Sequence, residues 1–291
     1  MNIHIIGGGA IGLFFASQWS SYHQVTVQAR TKEQAKRLET DGIRVIENNQ
    51  ESVHIVKTAK SAPVETNLVV VAVKQYHLND MLKELPDVRS LLFIQNGLSH
   101  LKQIQPLSNR NIYAASVTHG IAKIDERTIR VNGRDTTKMA SVKGGHKEIS
   151  CVLGTPGFSF QWEPDVYEML VEKMAANTVI NPLTALLNVK NGELVENSEY
   201  CAAVETLCAE FAAVFPYKTK EAVTQSVFAV CRKTALNESS MLSDMKAGRM
   251  TELNAIVGVL LNEAARNNIQ VPAFSILYNL VKGKTPDFNT K

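Results

Sequence analysis

The stretch Asn2-Ile-His-Ile-Ile-Gly-Gly-Gly-Ala-Ile-Gly12 decides how this chain is read. Ile3, Ile5 and Ile6 predict a short buried strand, and the apolar residues from Ile11 to about Trp19 predict a helix. Between them Gly7, Gly9 and Gly12 form G-x-G-x-x-G within Gly7-Gly8-Gly9-Ala10-Ile11-Gly12. Gly7 permits the tight turn out of the strand. Gly9 lets the backbone approach a diphosphate because it has no Cβ, and Gly12 lets the helix pack closely on the sheet. The free N–H groups and positive dipole end of the helix complete an anion site. Glycine turns are common, and alone such a triplet can be purely structural. A strand before it and a helix after it are the context in which it binds a dinucleotide.

Working outward, Gln24-Val-Thr-Val-Gln-Ala-Arg30 predicts a second strand with Arg30 at its carboxyl end. In NAD-preferring folds an Asp or Glu stands there and takes the ribose hydroxyls. Here the strand ends in Gln28, Ala29 and Arg30, followed by Thr31 and Lys32. A carboxylate would repel a 2′-phosphate, whereas a guanidinium grips it with paired hydrogen bonds. The expected cofactor is therefore NADPH/NADP+, with Arg30 on the 2′-phosphate. The plainer alternative is an arginine capping an exposed strand end.

Residues 41–60 alternate apolar and polar side chains and predict an additional pair of strands. Asn67-Leu-Val-Val-Val-Ala-Val-Lys74 and Ser90-Leu-Leu-Phe-Ile-Gln-Asn-Gly97 are near-continuous apolar runs. That is the pattern of parallel strands buried on both faces. Ile112-Tyr-Ala-Ala-Ser-Val-Thr-His-Gly120 predicts a third. Ligands of open parallel sheets bind beyond the carboxyl ends of the strands. Arg30, Lys74, Asn96 and His119-Gly120 all fall at such ends; singly each reads as a polar residue leaving a strand, together as the lining of one cofactor cleft. Short strands are expected at 129–135, 138–145 and 158–162.

From Asp165 the periodicity becomes helical, with helices expected over 165–187, 197–215, 218–235, 241–247, 251–267 and 273–283, and a short tail over 284–291. The fold class expected is an α/β Rossmann-type dinucleotide-binding domain, residues 1–164, followed by an all-α C-terminal domain, residues 165–291, with substrate held in the cleft between them. The 45% hydrophobic content of the 291 residues suits buried cores. With 31 basic and 28 acidic residues the net charge is +3, which gives no support for a nucleic-acid surface. No run approaches the roughly 18 apolar residues of a membrane helix. Cys151, Cys201, Cys208 and Cys231 form no CxxC pair, so neither a metal site nor a disulfide framework is expected, and buried free thiols are. With a strand rather than a signal peptide at the N-terminus, the chain reads as cytoplasmic. Its composition is compatible with a homodimer but does not specify one.

Hydride transfer to a carbonyl needs an acid to protonate the oxygen. All seven histidines lie at or before His146, so an acid from the helical half would be Lys, Tyr, Cys or a carboxylate. The first helix there carries Lys173, Asn177 and Asn181 at intervals of four among apolar residues. The alternative is a solvated helix edge, but buried amides and a buried lysine should meet each other or a ligand. Pro182 predicts a kink or break near Asn181. Ser239 or Ser240 reads most simply as a helix cap. Thr251 reads as the cap of the next helix, with Glu252 in its first turn, where an ionised carboxylate is favoured.

Gly7–Gly12, Val73-Lys-Gln-Tyr76, Gln95-Asn-Gly97, Thr118-His-Gly120, Lys173-x-x-x-Asn177-x-x-x-Asn181-Pro-Leu-Thr-Ala185, Asn191-Gly-Glu-Leu194, Ser239-Ser-Met-Leu242 and Thr251-Glu252 resemble, in order and spacing, the ketopantoate reductases. The resemblance runs from residue 3 to beyond 252. It implies NADPH-dependent reduction of 2-dehydropantoate to (R)-pantoate, in pantothenate and coenzyme A synthesis, and it implies roles. Lys173 would be the proton donor. Asn177, Asn181, Asn191 and Ser240 would hold the small 2-keto acid. Glu252 would lie by the nicotinamide ribose and the reacting centre. Lys74, Asn96 and Gly120 would line the cofactor. Two other readings stay open: a related NADP-dependent 2-keto acid or β-hydroxyacid dehydrogenase, and an NADPH-binding sensor without turnover.

Overall fold

The computed structural model describes residues 1–284. Its strands are β1 (Asn2–Ile6), β2 (Gln24–Gln28), β3 (Ile43–Glu47), β4 (Gln50–His54), β5 (Lys57–Thr58), β6 (Leu68–Val71), β7 (Ser90–Phe93), β8 (Asn111–Ser116), β9 (Gly120–Lys123), β10 (Thr128–Gly133), β11 (Thr137–Lys143) and β12 (Phe160–Trp162). Among the described residues they form an eight-stranded sheet ordered β12-β11-β8-β7-β6-β1-β2-β5 and a four-stranded sheet ordered β4-β3-β10-β9. From β5 to β8 every pairing in the larger sheet is parallel. Taken in chain order the six strands of that stretch run 3-2-1-4-5-6, the doubly wound dinucleotide-binding order, and the order reverses between β1 and β6. β11 then pairs antiparallel to β8.

The central strands need covering on both faces, and their residues supply it. Ile3, Ile5, Val70 and Leu92 pack with Leu13, Phe14, Phe15 and Trp19 of α1 (Ala10–Trp19), and Phe158 caps the aromatic cluster. α2 (Lys32–Asp41) buries only Gln34 and Leu38. The smaller sheet is tied to α1 by Arg134, which donates to both Glu47 carboxylate oxygens at 2.6 and 2.8 Å and to Gln18 Oε1 at 2.8 Å. Short helices α3 (Leu78–Lys83), α4 (Ser99–Ile104) and α5 (Ser150–Leu153) complete the α/β part.

The rest is helical: α6 (Val166–Leu187), α7 (Glu193–Glu196), α8 (Ser198–Val214), α9 (Lys220–Lys233), α10 (Ser240–Lys246), α11 (Val259–Arg266) and α12 (Pro272–Lys284). α8 packs on α7, α9, α11 and α12. Its Glu210 carboxylate accepts from Ala273 N at 2.8 Å and Phe274 N at 3.0 Å, satisfying donors that the start of α12 leaves free. Two compact units result: Met1–Gln95 with His100–Met169, and Asn96–Ser99 with the chain from Leu170 onward.

Several expectations change. Residues 41–60 hold three strands, of which β5 joins the larger sheet. The run 112–120 is divided: β8 stops at Ser116, and Gly120 opens β9 in the other sheet. α6 is not broken at Pro182. The hydroxyl of Thr184 donates toward Ile180 O and Asn181 O, at 2.8 and 3.1 Å, bracing carbonyls beside the proline. Thr251 gives no capping hydrogen bond; the chain enters a turn of π-helix at Asn254–Gly258 before α11. Cys208 and Cys231 are buried, but Cys151 is exposed. The expected tail lies outside the described residues except for Lys284, which closes α12.

Candidate active site

In the α/β unit the site starts where β1 turns into α1. A Cβ at Gly7, whose φ is +117°, would lie 2.9 Å from Ala72 O, and one at Gly12 would lie 2.0 Å from Gly7 O. Both positions therefore exclude any side chain. Gly9 is different: it is exposed, and nothing stands within 4 Å of where its Cβ would be. Gly9 is also the N-cap of α1 and offers no side-chain cap, so no capping side chain takes up the first N–H groups of the helix. An anionic diphosphate fits this cradle. Ala10 and Ile11 form its half-buried rim. Gly8 is buried against the carboxamide of Gln34.

Arg30 is exposed just past β2, and Thr31 caps α2 by accepting from Gln34 N at 3.1 Å. Lys74 is exposed just past β6. Gln95 ties the ends of β6 and β7, donating to Val71 O at 2.9 Å and Val73 O at 3.1 Å. His119 is committed to structure. Its Nδ1 accepts from Asp135 N at 2.9 Å, so Nε2 carries the proton and donates to Thr137 Oγ1 at 2.9 Å.

In the helical unit three residues from distant parts of the chain meet. Lys173 Nζ donates to Asn96 Oδ1 at 2.7 Å, and Asn96 Nδ2 donates to Glu252 Oε2 at 2.8 Å. The amide thus orients an ammonium and a carboxylate while adding no charge of its own. Burial lowers the Lys173 ammonium to about 8, against the upward pull of Glu252. Gly97 makes the arrangement possible. Its φ is +78°, and a Cβ there would lie 2.5 Å from Ala255 O in the π turn that follows Glu252.

One and two turns along α6 from Lys173 are Asn177 and Asn181. Asn177 is half-buried and makes no side-chain hydrogen bond among the described residues. Asn181 Nδ2 reaches Ser240 Oγ at 3.5 Å, the outer limit of a hydrogen bond. The cap of α10 is Ser239, which accepts from Leu242 N at 3.1 Å and lies 2.8 Å from Thr184 Oγ1. This leaves Ser240 free of capping duty. Asn191 donates to Thr234 Oγ1 at 2.9 Å, while its Oδ1 is buried with no hydrogen-bond partner.

Two features went unread in the sequence: Gln34 beside the glycine loop, and the contact between Thr184 and Ser239, both of which lie within the quoted motifs. Thr31-x-x-Gln34 has the form of a capping box, which signals the start of α2. The glutamine nonetheless points away from Thr31 and toward the glycine loop. Nothing in the sequence announces the Thr184–Ser239 contact, which spans 55 residues.

The family model described as "Ketopantoate reductase PanE/ApbA" matches residues 3–144, and "Ketopantoate reductase PanE/ApbA C terminal" matches 165–285. The chain belongs to the ketopantoate reductase family. It is 34% identical over 288 residues to the 2-dehydropantoate 2-reductase of Bacillus subtilis strain 168, covering 97% of each chain. It is also 34% identical over 295 residues to that of Listeria innocua, covering 97% of this chain and 96% of the relative. Among solved structures, a probable 2-dehydropantoate 2-reductase from Bacillus subtilis superposes with a TM-score of 0.89 at 33% identity, over 98% of this chain and 100% of that one. A D-mandelate dehydrogenase solved with NADH and anilino(oxo)acetate shares the fold, with a TM-score of 0.88 at 23% identity over the whole of both chains.

Proposed function

We propose that this protein reduces 2-dehydropantoate to (R)-pantoate with NADPH. The observation that carries the reading is the Lys173–Asn96–Glu252 chain of hydrogen bonds, a half-buried lysine oriented by an amide and tuned toward neutral pH. NADPH, when bound, supplies the hydride that adds to the keto carbon.

The residues of the chain do the rest. As the carbonyl π electrons move onto oxygen, Lys173 gives it a proton and is left as a neutral amine that solvent reprotonates. Asn96 keeps the ammonium aimed, and Glu252 limits how far its proton affinity falls. Asn177, Asn181, Asn191 and Ser240 bind the hydroxyl and carboxylate of the substrate. Amides and a hydroxyl suit that task because they both donate and accept. The glycine loop binds the diphosphate, Arg30 the 2′-phosphate, and Lys74, Asn96 and Gly120 line the cofactor. The absence of a carboxylate from residues 28–32 supports NADPH over NADH. No helix among the described residues is long and apolar enough to cross a membrane; the proposed reaction, on a small soluble substrate, is one of the cytoplasm.

The test is the rate of NADPH oxidation with 2-dehydropantoate beside pyruvate and 2-ketoisovalerate. Higher kcat/KM for 2-dehydropantoate is expected. A preference for another keto acid would assign a different substrate, and NADPH binding with no oxidation across the panel would leave a sensor. Arg30→Ala should raise the KM for NADPH and narrow its advantage over NADH.

A further inference from the structure

Gln34 is 2% exposed, although the first turn of a polar helix would ordinarily leave a glutamine in solvent. Its Nε2 donates to Gly8 O and to Glu126 O, both at 2.8 Å. Both protons of the amide are thereby used. The carboxamide also occupies the space that a Cβ on Gly8 would need, at 2.7 Å. Gly8 is therefore required by Gln34, whereas Gly9 faces open space.

We propose that Gln34 is a positioning residue for the dinucleotide, holding the Gly8–Gly9 peptide so that Gly9 N–H and the start of α1 stay turned toward the diphosphate. The described chain has no cis peptide. In a trans peptide the carbonyl and the following N–H point opposite ways. Pulling Gly8 O toward Gln34 thus turns Gly9 N–H away from it, onto the exposed side of the loop. The same turn of α2 begins at Thr31, which fixes Gln34 N, directly after Arg30. One turn of helix thereby sets both the arginine for the 2′-phosphate and the brace of the diphosphate loop. The second bond, to Glu126 in the turn between β9 and β10, anchors the brace to the smaller sheet.

This inference rests on the glycine loop being the NADPH site, and the two can fail separately. Calorimetric titration would compare NADPH with adenosine 2′-monophosphate, which carries the phosphate for Arg30 but no diphosphate. Gln34→Leu, with Gln34→Met as a second replacement, should weaken NADPH about tenfold, the order of one lost hydrogen bond. Adenosine 2′-monophosphate should stay within about twofold. Gly8→Ala should produce the same loss by displacing the carboxamide, and its effect should not add to that of Gln34→Leu. Unchanged NADPH binding in the Gln34 variants, or equal losses for the two ligands, would overturn the proposal. Failure of the unaltered protein to bind NADPH would overturn the cofactor reading beneath it.

Discussion

Lys173, the proposed proton donor, is costly to the fold through the same burial that would tune it for that role. Burial holds its ammonium at about 8 rather than the ordinary 10.5. Because reduction needs the protonated form, kcat/KM should fall as pH rises through about 8. An anionic substrate favours the ammonium, so the corresponding limb in kcat should lie at higher pH. Lys173→Ala should lower kcat by roughly 10²–10⁴-fold and abolish that limb; a limb that survives belongs to another group. Stability should respond in the opposite sense. Between about 8 and 10.5 the unfolded chain keeps a proton that the native protein has lost, so stability rises with pH across that window. Urea melts at several pH values should show this slope, and Lys173→Met should flatten it.

At the scale of elements, the bend at Gly97 and the π turn at 254–258 are fitted to one another. Gly97→Ala would force a Cβ to 2.5 Å from Ala255 O in a conformation that L-residues avoid. A destabilisation of about 1–3 kcal/mol is expected, with kcat falling more than NADPH affinity because Asn96 moves with its neighbour. The Thr184–Ser239 contact joins α6 to the start of α10. Thr184→Val should cost about 1–2 kcal/mol in denaturant melts and raise the KM for the keto acid, and Thr184→Ser should restore most of both.

The elements differ in how far they could be read from sequence, for physical reasons. β1, β6 and β7 were legible because strands buried on both faces are continuous apolar runs. α2 was not, since Lys32–Asp41 buries only Gln34 and Leu38 and so has no apolar stripe. The smaller sheet was legible as separate strands in 41–60 and at 129–135 but not as a sheet, because β3 pairs parallel with β10 from more than 80 residues away and no local pattern encodes a partner. The site was legible in its parts. Lys173, Asn177 and Asn181 share a helix spacing, but Asn96 reaches Lys173 across 77 residues and Glu252 across 156. Only the resemblance to a known family placed those three in one site.

At the scale of the molecule, a ligand that binds only the native state stabilises it by an amount set by its affinity. At about 100 times its Kd, NADPH should add roughly 2.7 kcal/mol. A thermal shift with NADPH should therefore exceed that with NADH at equal concentration, and Arg30→Ala should bring the two together. Equal shifts in the unaltered protein would remove Arg30 as the discriminating residue.

The interleaving of the chain has a consequence for recombination. Asn96–Ser99 belongs to the helical unit, yet it is encoded between two strands of the large sheet. A chimera of two relatives joined near residue 164 would inherit Asn96 and Gly97 from one parent and Lys173, Glu252 and Ala255 from the other. Such hybrids should fold as sheets and helices and still fail in turnover wherever the parents differ at these contacts. Shuffling this family productively means moving residues 96–99 together with the C-terminal half.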